Sequence, residues 1–187
     1  NAPSSKASKK IPLRQLLINK PFLAIVAATF ANNWSLFVFL SFLPKFIDNE
    51  LGIGLESSTF VILIIIPSII SVIALNAGGY LADSLIKSGI RVIKVRKTLN
   101  SIGFFGSAGC LFLIPFFESI SMIIILICVT NLFTGAAAGG FGVNHADIGP
   151  STTGTLVGIA STFGMIAGVV GNAVSGYVLD ITNSWTL

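Results

Sequence analysis

The stretch SSTFVILIIIPSIISVIALNAGGYLA, Ser57–Ala82, runs for 26 residues without an Asp, Glu, Lys or Arg. A helix needs about 20 apolar residues to cross the hydrocarbon core of a bilayer, so this segment can span one. A strand of that length and apolarity would present unpaired backbone edges to lipid, which leaves the helix as the open form. Four more charge-free stretches lie at Pro21–Pro44, Thr98–Phe117, Ser119–Ala146 and Ile148–Leu179. The last two share Gly- and Pro-containing turn material around Val143–Pro150. The expected fold is therefore all-α and polytopic, with five transmembrane helices over about 21–44, 57–82, 98–117, 119–142 and 152–179.

Composition agrees. Hydrophobic residues make up 53% of the 187-residue chain and charged residues 10%, against about 25% charged in a soluble domain. Such a chain cannot cover itself with polar surface, so the lipid bilayer is its first partner. The net charge of +4 does not point to nucleic acid, because the basic residues sit in two short blocks beside apolar runs. Cys110 and Cys128 both lie within apolar runs and read as small hydrophobes rather than as a disulfide or metal set.

Those basic blocks orient the chain. Lys6, Lys9, Lys10, Arg14 and Lys20 precede the first span; Lys87, Arg91, Lys94, Arg96 and Lys97 lie between the second and third. Alternating helices place all ten on one side, with Lys45 opposite beside Asp48, Glu50, Glu56 and Glu118. The positive-inside rule then puts the N-terminus, a loop at 83–97 and a turn at 143–151 in the cytoplasm. The polar stretch 1–20 reads as a cytoplasmic linker.

No span carries an ionisable residue, so no proton relay is encoded within the membrane. Amides and hydroxyls do occur at depth: Asn32, Asn33 and Ser35 around Trp34, Pro67 with Ser68, Ser71 and Asn76, Thr130, Asn131 and Thr134, and Ser161 with Thr162. In hydrocarbon they must find partners, and either helix–helix contacts or a wet cavity supplies them. For Asn32 and Asn33 beside Trp34, cavity lining is as strong a reading as packing. Gly154/Gly158 and Gly164/Gly168 have GxxxG spacing, which lets helix backbones approach closely. Pro67 is expected to kink the second helix.

Two loops carry sharper signals. GGYLADSLIKSGIRVIKVRK, Gly78–Lys97, ends a helix with two glycines and places Asp83 four residues after Gly79. A carboxylate near a helix C-terminus opposes the dipole, so Asp83 is expected to cap another helix or to pair with Arg96. GGFGVNHADIGPSTTGTLVGIAST, Gly139–Thr162, surrounds the one histidine. His145 and Asp147 have no third ligand nearby, so the sequence offers no metal site, and there is no nucleophile–base pair that would make this an enzyme.

The first loop resembles the signature loop of the major facilitator superfamily, in the copy between its eighth and ninth helices. The string Asn144-His145-Ala146-Asp147-Ile148-Gly149-Pro150 closely resembles the segment between the tenth and eleventh helices of the superfamily's anion–cation symporter family, the group of sialin, the vesicular glutamate transporters, type I sodium–phosphate cotransporters and plastid phosphate transporters. Ile11–Gly54, with Pro21, Asn33-Trp34 and Leu43-Pro44, looks like its seventh helix. The resemblance implies that the five spans match helices seven to eleven of a twelve-helix fold, with Ser184–Leu187 approaching the twelfth. The implied partners are a six-helix N-terminal half and a last helix of the same transporter.

The resemblance further implies alternating access and a small anionic substrate, phosphate, sialate or similar, coupled to sodium or protons and with no other cofactor. The substrate pathway would include Asn32, Asn33, Trp34, Phe37, Asn131, Ser161 and Thr162. Gly79, Asp83, Arg96 and Lys97 would form a cytoplasmic latch, and Asn144, His145, Asp147 and Pro150 the second loop motif. The chain departs from the family pattern where Asn32 replaces the arginine of the glutamate transporters, which removes a bidentate anion clamp. Phe37 stands where a tyrosine is common, and Ser161 where an asparagine is. Family members occupy plasma membrane, lysosome, vesicle and plastid envelope. The alternative function is a structural membrane subunit that docks onto partner proteins without transport.

Overall fold

The computed structural model describes residues 18–142, 144–149 and 152–185. Among the described residues there are five long helices and one short one: α1 (Lys20–Asn49), α2 (Ser58–Lys87), α3 (Val92–Leu113), α4 (Ile120–Phe141), α5 (Asn144–Ile148) and α6 (Thr153–Thr182). A 3-10 turn, Ile114–Phe116, extends α3. All five long elements have the length and hydropathy of membrane spans.

Local chemistry sets the helix ends. Pro21 opens α1, where its missing N–H costs nothing. The Ser57 side chain accepts from the Thr59 N–H at 3.2 Å and caps α2. Gly52 and Gly89 adopt φ of +65° and +92° in the turns after α1 and α2, a conformation that side chains resist. Asn183, at φ 47°, closes α6 in the left-handed conformation.

The helices run past the charge-free stretches. α1 continues through Pro44 to Asn49, and α2 through Gly78 and Gly79 to Lys87. Most of the segment 83–97 is thus helical, with only 88–91 between α2 and α3, and the turn at 143–151 holds α5. A 30-residue helix is about 45 Å long against a core of about 30 Å, so its charged ends stand among headgroups where water satisfies them. Charge marks where hydrocarbon ends, not where the helix does.

Packing follows small residues. α4 pairs along its length with α2 and with α3, while α1 pairs with α6. A Cβ on Gly135 would run into the backbone of Ala74, and one on Gly78 into the Gly135 carbonyl. Gly103 faces Ala137 in the same way across α3 and α4. Large apolar side chains point outward instead: Phe105 is 79% exposed and Val169 73%. Between lipid-solvated helices there is no hydrophobic drive, so backbone approach and van der Waals contact do the packing.

Three apolar clusters lie toward the two ends of the bundle. Leu43, Ile47, Leu63, Ile123 and Ile127 gather at one end. Phe22 with Leu156, and Ala82 with Val95 and Leu99, gather at the other. That second end also carries Lys20, Lys87, Arg91, Lys94, Arg96 and Lys97, because the long helices alternate in direction.

Replacing Gly135 with Ala places a methyl inside the α2 backbone and is expected to cost about 1–3 kcal/mol. Gly109→Ala, where a Cβ meets open space, is expected to be neutral or slightly stabilising. Thermal unfolding of the two variants in detergent checks the contrast.

Candidate functional site

Two groups of polar residues stand out, one at the middle of α1 and one at the basic end. At mid-membrane, α1 turns Asn33, Trp34 and Phe37 toward the glycine face of α6. A Cβ on Gly164 would approach Asn33 Nδ2 to 2.7 Å, and one on Gly171 the Trp34 ring to 3.1 Å; Gly168 lies beneath Phe37. Asn33 Nδ2 donates to the Thr29 carbonyl at 2.9 Å. These three residues therefore build the α1–α6 seam, together with Thr29, which the sequence reading did not single out although it lies one turn before Asn33. Trp34 also packs on Phe30, ring centroids 6.2 Å apart. The GxxxG pair Gly164/Gly168 lies in this seam, whereas a Cβ on Gly154 or Gly158 would meet nothing within 4 Å.

Asn32 is different. It is half-buried and forms no hydrogen bond among the described residues. One residue along a helix is a rotation of about 100°, so Asn33 can enter the seam while Asn32 turns aside from it.

Other amides and hydroxyls at depth find partners without leaving their own helix. Ser68, Asn76, Thr130, Asn131, Thr134 and Thr162 each donate to the carbonyl four residues earlier at 2.8–3.0 Å. This corrects the expectation that such groups must seek neighbouring helices: one turn back, a lone pair of the backbone carbonyl is already within reach. Across helices, Ser107 Oγ lies 3.2 Å from Thr134 Oγ1 and donates to the Thr130 carbonyl at 3.3 Å, tying α3 to α4. Ser161 and Thr162 are exposed on α6, and Asn131 is half-buried on α4.

At the basic end, Arg96 is the organising group. Its Nε donates to Asp147 Oδ2 at 3.0 Å and its Nη1 to the Gly139 carbonyl at 2.7 Å. The Arg96 side chain is 7% exposed and that of Asp147 34%. Gly139 belongs to the last turn of α4, whose carbonyls have no partner in their own helix, so the guanidinium caps α4 and favours its negative dipole end. Gly140 makes this possible, since a Cβ there would sit 2.8 Å from the Arg96 carbonyl oxygen. One arginine thus joins α3, α4 and α5.

The expected Asp83–Arg96 pair does not form. Asp83 is exposed on α2 with no hydrogen bond or ion pair among the described residues. Arg96 is instead engaged by Asp147, which α5 holds against the guanidinium. Lys97 is exposed and without an ion pair, and Gly79 is half-buried with open space beside it. His145 is buried; its Nδ1 lies 3.3 Å from the Gly142 carbonyl, and its Nε2 is buried without a partner. Asn144 is half-buried, and Pro150 lies outside the described residues. No group of three potential metal ligands occurs among the described residues.

The five apolar helices of membrane-spanning length define a class, the multi-pass membrane proteins. The family model of the Major Facilitator Superfamily matches residues 1–172, and the chain belongs to that superfamily. It is therefore of a transporter family and not an enzyme. Among similar proteins, it is 33% identical over 185 residues to the "Sodium-dependent phosphate transport protein 1, chloroplastic" of Arabidopsis thaliana, covering 99% of this chain and 36% of that protein. It is 32% identical over 175 residues to the "Ascorbate transporter, chloroplastic" of the same plant, covering 94% of this chain and 32% of that protein. The chain spans about a third of the length of these relatives.

Removing Asp147 leaves the buried Arg96 guanidinium with the Gly139 carbonyl but without its counter-charge. Because Asp147 is itself a third exposed, Asp147→Ala is expected to destabilise the protein by only about 1 kcal/mol, and Arg96→Met with Asp147→Ala by less than the sum of the two single changes. Asp83→Asn is expected to shift stability by under about 0.5 kcal/mol. A double-mutant cycle on thermal unfolding tests all three.

Proposed function

We propose that this chain forms five helices of a secondary active transporter that moves a small anion by alternating access. The observation that carries this reading is Asn32. It is an unengaged amide near the middle of a membrane-spanning helix, away from the one buried charge among the described residues, Arg96 at the basic end. An amide N–H donates to an anion without the desolvation cost of a buried guanidinium. The names of the relatives agree with an anionic substrate, phosphate and ascorbate among them. Asn32 stands where the glutamate transporters carry arginine, which favours phosphate or an organic anion such as sialate over glutamate.

In this reading the remaining helices of the transporter provide the opposite wall of the pathway and cationic groups at mid-membrane, where the described residues of this bundle carry none. Sodium or protons supply the coupling gradient, and the basic end faces the cytoplasm. Asp83, exposed and unpaired, docks on a helix N-terminus of the other half when the cytoplasmic side closes. Arg96 serves that latch indirectly, by fixing α3, α4 and α5 as one unit.

Reconstitution of the complete polypeptide in liposomes tests the proposal. Uptake of labelled phosphate or an organic anion, enhanced by a sodium or proton gradient, is expected. Asn32→Ala is expected to raise KM about ten-fold, the loss of one or two hydrogen bonds. No uptake of any anion tested under either gradient overturns the transporter reading. Unchanged KM and kcat in Asn32→Ala would remove Asn32 from the pathway. Asp83→Asn is expected to slow transport several-fold with little change in KM, and an unchanged rate would dispose of the latch.

A further inference from the structure

The short helix α5 is held in place through three side chains. Ile148 packs into the apolar cluster formed by Phe22 of α1 and Leu156 of α6. Asp147 accepts from Arg96 of α3 at 3.0 Å. His145 Nδ1 lies 3.3 Å from the carbonyl of Gly142, the residue that ends α4. Because α4 pairs with α2 and α3 while α1 pairs with α6, α5 ties the two groups of helices together at the basic end.

A carbonyl oxygen only accepts, so the Nδ1 contact puts the ring proton on that nitrogen and leaves Nε2 as a bare lone pair. Nε2 is buried without a partner, and the histidine as a whole is 6% exposed. This chain's own residues enclose the nitrogen, so further helices around the bundle only deepen that burial. No free carboxylate stands ready for a second ring proton among the described residues. α4 carries no charged residue, and its one titratable group, Cys128, is at mid-helix; α6 carries Tyr177 and Asp180 only in its last turns. α1 brings Lys20, its Lys45 and Asp48 being at the far end, and α3 brings Arg96 with Lys94 and Lys97 exposed beside it. Asp147, on α5 itself, is taken up by Arg96.

A second proton would make Nε2 a donor with no acceptor, on a buried ring set among mostly cationic neighbours. Releasing α5 loses one apolar contact and one partly exposed ion pair, and it puts the new N–H in water. The guanidinium keeps the Gly139 carbonyl when Asp147 leaves. We propose that His145 is a proton-sensitive pin for α5. Neutral, it seats the helix on the end of α4. When α5 lifts, Nε2 takes a proton from water on the basic face, and the charged ring does not fit back, so the Asp147–Arg96 pair stays open. The released state holds one proton more than the seated one, and acid on that face therefore favours release. The pin depends neither on Asn32 nor on the anion carried, so its test needs no transport.

Hydrogen–deuterium exchange of the complete polypeptide in detergent tests this at about pH 7.5 and about pH 5.5, either side of the range where imidazole ordinarily titrates. Exchange times are scaled for the intrinsic effect of pH on amides. The reporter is the peptide over residues 144–149, in which the Gly149 N–H donates to the His145 carbonyl at 3.2 Å. Its protection is expected to fall about ten-fold at the lower pH while the middle of α4 stays protected. His145→Asn keeps a donor for the Gly142 carbonyl and does not titrate, so its protection is expected to be equal at both pH values. Asp147→Asn removes the other titratable group of α5 and is expected to keep the acid response. In the unsubstituted chain, ring protonation of His145 followed by nitrogen NMR is expected to share one midpoint with the loss of protection. An acid response that survives His145→Asn, or that vanishes in Asp147→Asn, belongs to the carboxylate and overturns the pin. A ring that protonates while α5 stays protected, or protection that is equal at both pH values in the unsubstituted chain, overturns it as well.

Discussion

Backbone-to-backbone approach at glycine holds this bundle together, and the other features depend on it. α4 meets α2 where Gly78, Gly135 and Gly139 leave no room for a methyl, and it meets α3 at Gly103 and Gly140. Such distances allow many weak contacts per turn, the main attraction left to helices once lipid has removed the hydrophobic drive. The Arg96 staple is a consequence. Its guanidinium reaches the Gly139 carbonyl only because α3 lies against a glycine-rich last turn of α4.

The same constraint explains the inside-out distribution of side chains. Alanine and glycine make the tightest helix contacts, while many phenylalanines, isoleucines and valines face lipid and a few, Phe22 and Ile25 among them, fill the core near the bundle's ends. Hydroxyls and amides at depth are mostly absorbed by carbonyls one turn back, which leaves few polar groups free to act. Scarcity gives the exceptions their meaning. Asn32 at mid-membrane and the buried Asn100 Oδ1 near the basic end are unengaged where unengaged polar groups are costly.

The α1–α6 seam shows how fold and site constrain each other. Asn33, Trp34 and Phe37 occupy hollows over Gly164, Gly168 and Gly171, so three residues with pathway chemistry are engaged in packing. Their neighbour Asn32 escapes by one helical step. Toward the basic end the same seam is closed by interlocking side chains, Leu156 and Ile159 of α6 against Phe22 and Val26 of α1.

The sequence by itself determined the number of spans, their apolarity, the segregation of basic residues to one end and the membership of a transporter family, because hydrocarbon thickness and charge cost act on each segment independently of its neighbours. It also singled out Arg96 and Asp147, but in separate motifs. Tertiary structure alone decided that they pair, that Asp83 stays free, and that Asn33 rather than Asn32 enters the seam. A contact between residues 51 positions apart, or a choice between adjacent amides, turns on how the helices rotate and cross. Glycine spacing permits several such arrangements, and only the packed bundle selects one.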